Sequence, residues 1–152
     1  MELKTAEVII SEIGMDMSRF PSANHLASWA GLCPGNNETA GKRKSGKTRK
    51  GDQWLRRALI EAAWAASRTK DTYLSSQYHR LVARRGKKKA VVAVAHSILV
   101  SIYHILMNGG AYQDLGPNYL DKLNETNIKR YHARRLEELG YQVSITPLEQ
   151  AA

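Results

Sequence analysis

The chain has 152 residues, 43% hydrophobic and 7% aromatic, which suits a single domain able to bury one core and excludes disorder by composition. Lys and Arg outnumber Asp and Glu by 23 to 14, for a formal charge of +9 and a pI near 9.8. The excess points to a polyanion, and to nucleic acid before a membrane surface, because no basic amphipathic helix carries a bulky aromatic face. The one cysteine, Cys33, excludes a disulfide framework and a cysteine-rich zinc site.

The N-terminus MELKTAEVII lacks the layout of a signal peptide, and no apolar run is expected to reach membrane-spanning length. A soluble, reducing, cytoplasmic setting is therefore expected. LKTAEVIISEIG places Ala6, Ile9, Ile10 and Ile13 on one helical face and stops at Gly14, a natural C-cap. MDMSRFPS reads as a loop. Ser22 is expected to cap ANHLASWAG, whose Leu26, Trp29 and Ala30 form an apolar face. A long polar segment, Cys33 to Asp52, follows.

Asp52 is a good N-cap for QWLRRALIEAAWAASR, where Leu55, Leu59, Ala62, Ala63 and Ala66 recur at helical spacing. So many alanines imply a closely packed neighbouring helix. Asp71 or Thr72 starts YLSSQYHRLVARRG, with Leu74, Tyr78, Leu81 and Val82 inward. KKKAVVAVAHSILVSIYHILMNGG is the most apolar stretch and is expected to be the central buried helix. AYQDLGPNYLD is turn-rich, with Pro117 after Gly116 breaking any helix. NETNIKRYHARRLEELG closes the series with Ile128, Tyr131, Leu136 and Leu139 as its apolar set. YQVSITP alternates like a short strand without a second strand pattern to pair with. The expectation is an all-α fold of about six helices with a long basic loop between helices.

Several constellations tempt a chemical reading. His96 and His104 lie eight apart on the central helix, but no third or fourth metal donor accompanies them, so no metal site is assigned. Asp16, Glu61, Asp71, Glu137 and Glu138 form no tight acidic cluster of the kind two-metal phosphoryl transfer needs. RYHARR brings Arg, His and Tyr131 together, but on one helix, where neighbouring side chains point apart; a solvated basic face is the better reading. ARRGKKKA is a basic turn whose Lys87, Lys88 and Lys89 could clamp phosphate or simply start a helix.

The polar segment is richer. Lys42, Arg43, Lys44, Lys47, Arg49 and Lys50, with Arg56 and Arg57 just beyond, face few acids, chiefly Glu38 and Asp52. Its glycines let backbone N–H groups approach a phosphate, and Thr39, Ser45 and Thr48 interleave hydroxyls with the cations. A hydroxyl held among cations beside a phosphodiester has the elements of nucleophilic phosphoryl transfer. The alternative is a flexible basic loop that only touches backbone phosphates. If about six cations each neutralise a phosphate, log K falls with log salt at a slope near −5.

The stretch FPSANHLASWAGLCPGNNETAGKRKSGKTRKGDQWLRRALIEAAWAAS resembles the C-terminal domain of the insertion-sequence transposases that pair it with an N-terminal RuvC-like DEDD domain, the bridge-RNA-guided recombinases. The resemblance runs from about Leu3 to Pro147 and implies one C-terminal transposase domain over residues 1–147 with a tail at 148–152. TAEVIISEIG looks like the later part of the family's helix-hairpin-helix-like element, and the glycine-rich hairpin that normally precedes it is missing. A fragment or truncated copy is therefore expected.

The resemblance further implies a serine in this segment that attacks the DNA backbone and forms a covalent protein–DNA intermediate. It implies Mg²⁺ held by the carboxylates of the DEDD domain, with no cofactor in this chain. It also implies guide RNA and dimers or tetramers that assemble a composite site. Aligning PGNNE-x-AGK puts Thr39 at the serine position, with Ser45 as second candidate. Threonine keeps the hydroxyl but its β-methyl crowds an in-line attack. Lys42, Arg43, Lys44, Lys47, Arg49, Lys50 and Arg56 are the expected nucleic-acid contacts. The isolated chain is not expected to cleave DNA.

Overall fold

Six helices of seven residues or more and one short one carry the chain, in keeping with the all-α expectation. The structure is a computed structural model that describes residues 2–35 and 37–146, without the side chains of Asn37, Arg43 and Lys44. It divides into two compact units, Met1–Pro117 and Asn118–Ala152.

In the first unit, α1 (Leu3–Ile13) buries Ile9 and Ile13 and ends where Gly14 turns to φ 73, its amide donating to the Ile10 carbonyl at 2.8 Å. MDMSRFPS holds a 3-10 turn, Met17–Arg19, started by the Asp16 carboxylate accepting from the Ser18 amide and anchored by buried Met17. In α2 (Ala23–Trp29), Ser22 sits at the N-cap position but makes no capping bond; its hydroxyl pairs with His25 Nδ1 at 2.8 Å. The expected apolar face of α2 also needs correction. Ala23, Leu26, Ala27 and Ala30 are the buried set, and Trp29, one step off that stripe, is 45% exposed and leans on Phe20.

α3 (Gln53–Arg68) starts as expected, with the Asp52 carboxylate accepting from the Leu55 amide at 2.6 Å. Leu55, Ala58, Leu59 and Ala63 are buried along it. Thr72, not Asp71, caps α4 (Tyr73–Arg85), its hydroxyl accepting from the Ser75 amide. α5 (Lys87–Asn108) packs against α2, α3 and α4 and contributes Ala90, Val91, Val94, Ala95, Leu99 and Tyr103 to the core. Its alanines and those of α3 leave out the bulk that would hold two helices apart.

One expectation about α5 is overturned. At 22 residues, with a mean hydropathy of 2.0 over its most apolar 18-residue window, it is long and apolar enough, by length and composition, to cross a membrane. The reason lies in its place at the centre of the unit, where neighbours on several sides require apolar positions beyond a single stripe.

Tyr103 ties the C-terminal half of α5 to the segment before α2, its buried ring donating from the hydroxyl to the Phe20 carbonyl at 3.1 Å. Tyr103→Phe leaves that carbonyl unpaired, and a loss of about 1 kcal/mol is expected. It should be read as a melting temperature lower by roughly 3–5 °C.

In the second unit, the turn-rich stretch contains a helix that its Gly–Pro punctuation concealed, α6 (Tyr119–Leu123), followed by α7 (Glu125–Glu138). Neither buries a residue. Of the expected apolar set of α7, Ile128 is partly covered while Tyr131, Leu136 and Leu139 stand exposed. No strand forms over residues 141–146.

Candidate nucleic-acid interface

The polar segment between α2 and α3 is not a structureless loop. It folds into a two-stranded antiparallel hairpin, β1 (Asn37–Thr39) and β2 (Lys42–Ser45). Ala40 and Gly41 form the two-residue turn, with φ 49 and φ 73, the double positive φ that tight hairpin turns require. Thr39 pairs with Lys42 and Glu38 with Arg43. The register then slips so that Asn37 meets Ser45, leaving Lys44 as a bulge. A further bridge joins Pro34 to Thr48, and the Gly35 amide donates to the Lys47 carbonyl at 2.9 Å.

The base of the hairpin is closed by two glycines. A Cβ on Gly51 would fall 2.3 Å from the Gly31 nitrogen and 2.4 Å from the Ala30 carbonyl carbon. A Cβ on Gly31, itself at φ 69, would meet the Gly51 nitrogen at 2.7 Å. The end of α2 and the start of α3 thus touch backbone to backbone, a contact no side chain can share. Arg56 secures the same point from α3. Its guanidinium donates to the Gly31 carbonyl and, at 3.0 Å, to the Thr48 hydroxyl.

The expected contact residues therefore divide. Lys42, Lys47, Arg49 and Lys50 are exposed on the hairpin and its return arm. Arg56 is partly buried and spends its donors inside the clamp. The side chains of Arg43 and Lys44 lie outside the described residues.

Of the two candidate hydroxyls, Thr39 is exposed at the last position before the turn, and as a directly opposed pair it and Lys42 project from one face of the hairpin. Ser45 is half-buried and its hydroxyl accepts from the Lys47 amide at 3.1 Å, holding the return arm's bend. Geometry separates them: one hydroxyl faces solvent beside a lysine, the other is a turn element.

Trp54 was not among the expected site residues. It is 65% exposed in the first turn of α3, where it adds an aromatic face beside the cations. Its neighbour Leu55 marks the inward face, and a position one residue away lies about 100° around the helix, the signal that could have found it. Cys33, also at this end, is a poor nucleophile, since partial burial raises its thiol above the usual value.

Burial pushes the His96 imidazole below its ordinary pKa, and His104 is exposed. Tyr131 is exposed on α7 with its ring edge-on to His132. No group of three or more His, Cys, Asp or Glu able to hold a metal exists among the described residues.

A groove of about 470 Å³ lies along α1, the second half of α3 and the second half of α5. Tyr112 and Asp114 edge it. Burial, then the Asp114 charge and hydrogen bond, pushes the Tyr112 phenol up to about 12. Asp114 accepts from the Tyr73 and Gly116 amides and the Tyr112 hydroxyl.

Comparison with known proteins gives a consistent picture. The model of the IS116/IS110/IS902 transposase family matches residues 1–80. A 43.6 kDa uncharacterized protein of insertion element IS110 from Streptomyces coelicolor is 30% identical over 119 residues, 76% of this chain and 28% of that protein. A Sinorhizobium fredii protein, y4pF/y4sB, named provisionally as a transposase, is 30% identical over 103 residues, 64% of this chain and 27% of that protein. The chain thus spans a little over a quarter of the length of these curated relatives. No solved structure matches.

Proposed function

This chain belongs to the IS116/IS110/IS902 transposase family, and from that premise we propose that it is the part of an insertion-sequence recombinase that grips DNA and presents a hydroxyl to the backbone. The observation that carries the reading is the clamped basic hairpin, with Thr39 exposed at its tip and opposed to Lys42. Lys42, Lys47, Arg49 and Lys50 neutralise backbone phosphates, and Arg43 and Lys44 belong to the same run in sequence. The Gly31–Gly51 contact and Arg56 hold the hairpin on the helical scaffold, so the contacts are made without ordering a free loop.

In the chemical step, Thr39 Oγ1 bonds to phosphorus while a bond from phosphorus to a deoxyribose oxygen breaks, and that oxygen departs with the proton Oγ1 gives up. The Lys42 ammonium steadies the charge gathering on the phosphorane. The β-methyl of Thr39 makes this slower than a serine would. The described residues supply no donor set for Mg²⁺, so no step is drawn through a metal on this chain. The metal, its DEDD domain, guide RNA and a second copy completing the site are proposed as partners on the strength of family membership.

Thr39→Ser, combined with a DEDD domain and guide RNA from a family member, should yield protein covalently attached to nicked DNA, read as a band that survives denaturing electrophoresis. The wild-type chain in the same mixture should give less adduct, and Thr39→Val none. DNA binding without an adduct from the serine variant would leave a non-catalytic helical nucleic-acid-binding module as the function. An adduct from Thr39→Val that is lost in Ser45→Ala would move the nucleophile to Ser45.

A further inference from the structure

The turn between α4 and α5 carries five cations in six residues, Arg84, Arg85, Lys87, Lys88 and Lys89 around Gly86, and every one is exposed. Nothing on their own helices balances them, since from Thr72 to Gln113 the sequence contains no Asp or Glu. Nor do these five form an ion pair among the described residues.

Their placement also works against helix stability. The amide end of a helix favours negative charge, yet α5 begins with three lysines and has only Gly86, without a capping side chain, before them. Cations in a first turn are of the wrong sign for the macrodipole, so their gain must lie elsewhere.

Contacts along the bundle locate this turn. α3 and α4 run antiparallel, with the Ser75 hydroxyl donating to the Ser67 carbonyl at 3.2 Å and Trp64 edge-on to Tyr78. α4 and α5 are antiparallel too, Gln77 donating to the Ser97 hydroxyl at 2.9 Å. Following α4 towards its C-terminus therefore goes back along α3 towards its start, and brings Arg84 and Arg85 level with Arg57. The basic turn and the root of the basic hairpin lie at one end of the three-helix bundle. The apolar groove, lined by later residues of α3 and α5, lies towards the other.

We propose that the α4–α5 turn is a second phosphate-binding arm for duplex DNA, acting together with the hairpin at the same end of the bundle. The inference rests on the DNA-binding reading above. With two arms, the five turn cations join about six hairpin cations, and the salt slope of the wild-type chain should be near −10, not −5.

The test uses the full chain and a short mixed-sequence DNA duplex. The triple variant Lys87→Gln, Lys88→Gln, Lys89→Gln should bind with a salt slope shallower by about 2.7, some 0.9 for each neutralised phosphate. Its melting temperature should hold or rise, because the substitutions relieve the unfavourable charge at the start of α5. A role in solubility alone would leave the slope unchanged, so an unchanged slope in a folded variant overturns the second arm. Arg84→Gln with Arg85→Gln provides an independent pair from the other helix, expected to flatten the slope by about 1.8. A loss seen only with a hairpin RNA probe would overturn the assignment to duplex DNA. If the wild-type chain does not bind the duplex, both this inference and the DNA-binding reading fall. If it binds through the hairpin while both turn variants keep its slope, only the second arm falls.

Discussion

Gly51→Ala should destabilise the chain by about 3 kcal/mol, a large fraction of what a small domain has. The added methyl would sit 2.3 Å from the Gly31 nitrogen and within 2.6 Å of the Ala30 carbonyl oxygen, and neither neighbour is a side chain that can swing away. Relief requires the end of α2 to separate from the start of α3, which pulls the Arg56 guanidinium off the Gly31 carbonyl and the Thr48 hydroxyl. Gly31→Ala should act in the same direction, with the strain of a non-glycine residue at φ 69 added to a contact of 2.7 Å. Gly41→Ala, by contrast, meets nothing within 4 Å and carries only the cost of its positive φ, about 1 kcal/mol. Chemical denaturation of the three variants should rank Gly51 and Gly31 well above Gly41. Equal losses would mean that the clamp is not what holds the hairpin's base.

That contrast also explains which parts of the molecule were legible in the sequence. The long helices were, because burial repeats every three to four residues along α1, α3 and α5, and because Gly14, Asp52 and Thr72 mark ends with side-chain or backbone chemistry visible in one residue. The hairpin was not. Its strands are three and four residues long and almost wholly polar, so no alternation of apolar residues announces them. Only Gly41 hinted at the turn, and Ala40 in a positive φ is a choice sequence rules disfavour.

Arg56 shows the same limit from another side. In sequence it is one more cation beside a basic run, and only the fold reveals that its donors are already taken. Trp29 was misplaced because α2 is only seven residues long, and the stripe from Ala23 through Leu26 and Ala27 to Ala30 leaves it at the edge. The candidate nucleophile was located through a family resemblance. What the fold adds is the separation of Thr39, exposed at the hairpin tip, from Ser45, engaged in a bend.

The largest effect on binding is expected from neutralising the exposed hairpin cations while sparing the clamp. The variant Lys42→Gln, Lys47→Gln, Arg49→Gln, Lys50→Gln removes four charges and leaves Arg56 and both glycines in place, so the hairpin keeps its attachment. Four lost phosphate contacts should flatten the dependence of log K on log salt by about 3.6, and at moderate salt weaken duplex binding on the order of a thousandfold. Stability should change little, because these exposed cations form no ion pair among the described residues, and surface positions of that kind contribute within about 0.5 kcal/mol. Affinity and melting temperature thus move independently: Gly51→Ala lowers both, whereas the quadruple variant lowers affinity alone. Because the hairpin and the α4–α5 turn are separate elements, the quadruple variant combined with Lys87→Gln, Lys88→Gln, Lys89→Gln should lose the sum of their logarithmic effects. A quadruple variant that bound duplex as tightly as wild type, with the same salt slope, would take the hairpin out of the interface. It would also deprive Thr39 of the phosphate on which its proposed chemistry depends.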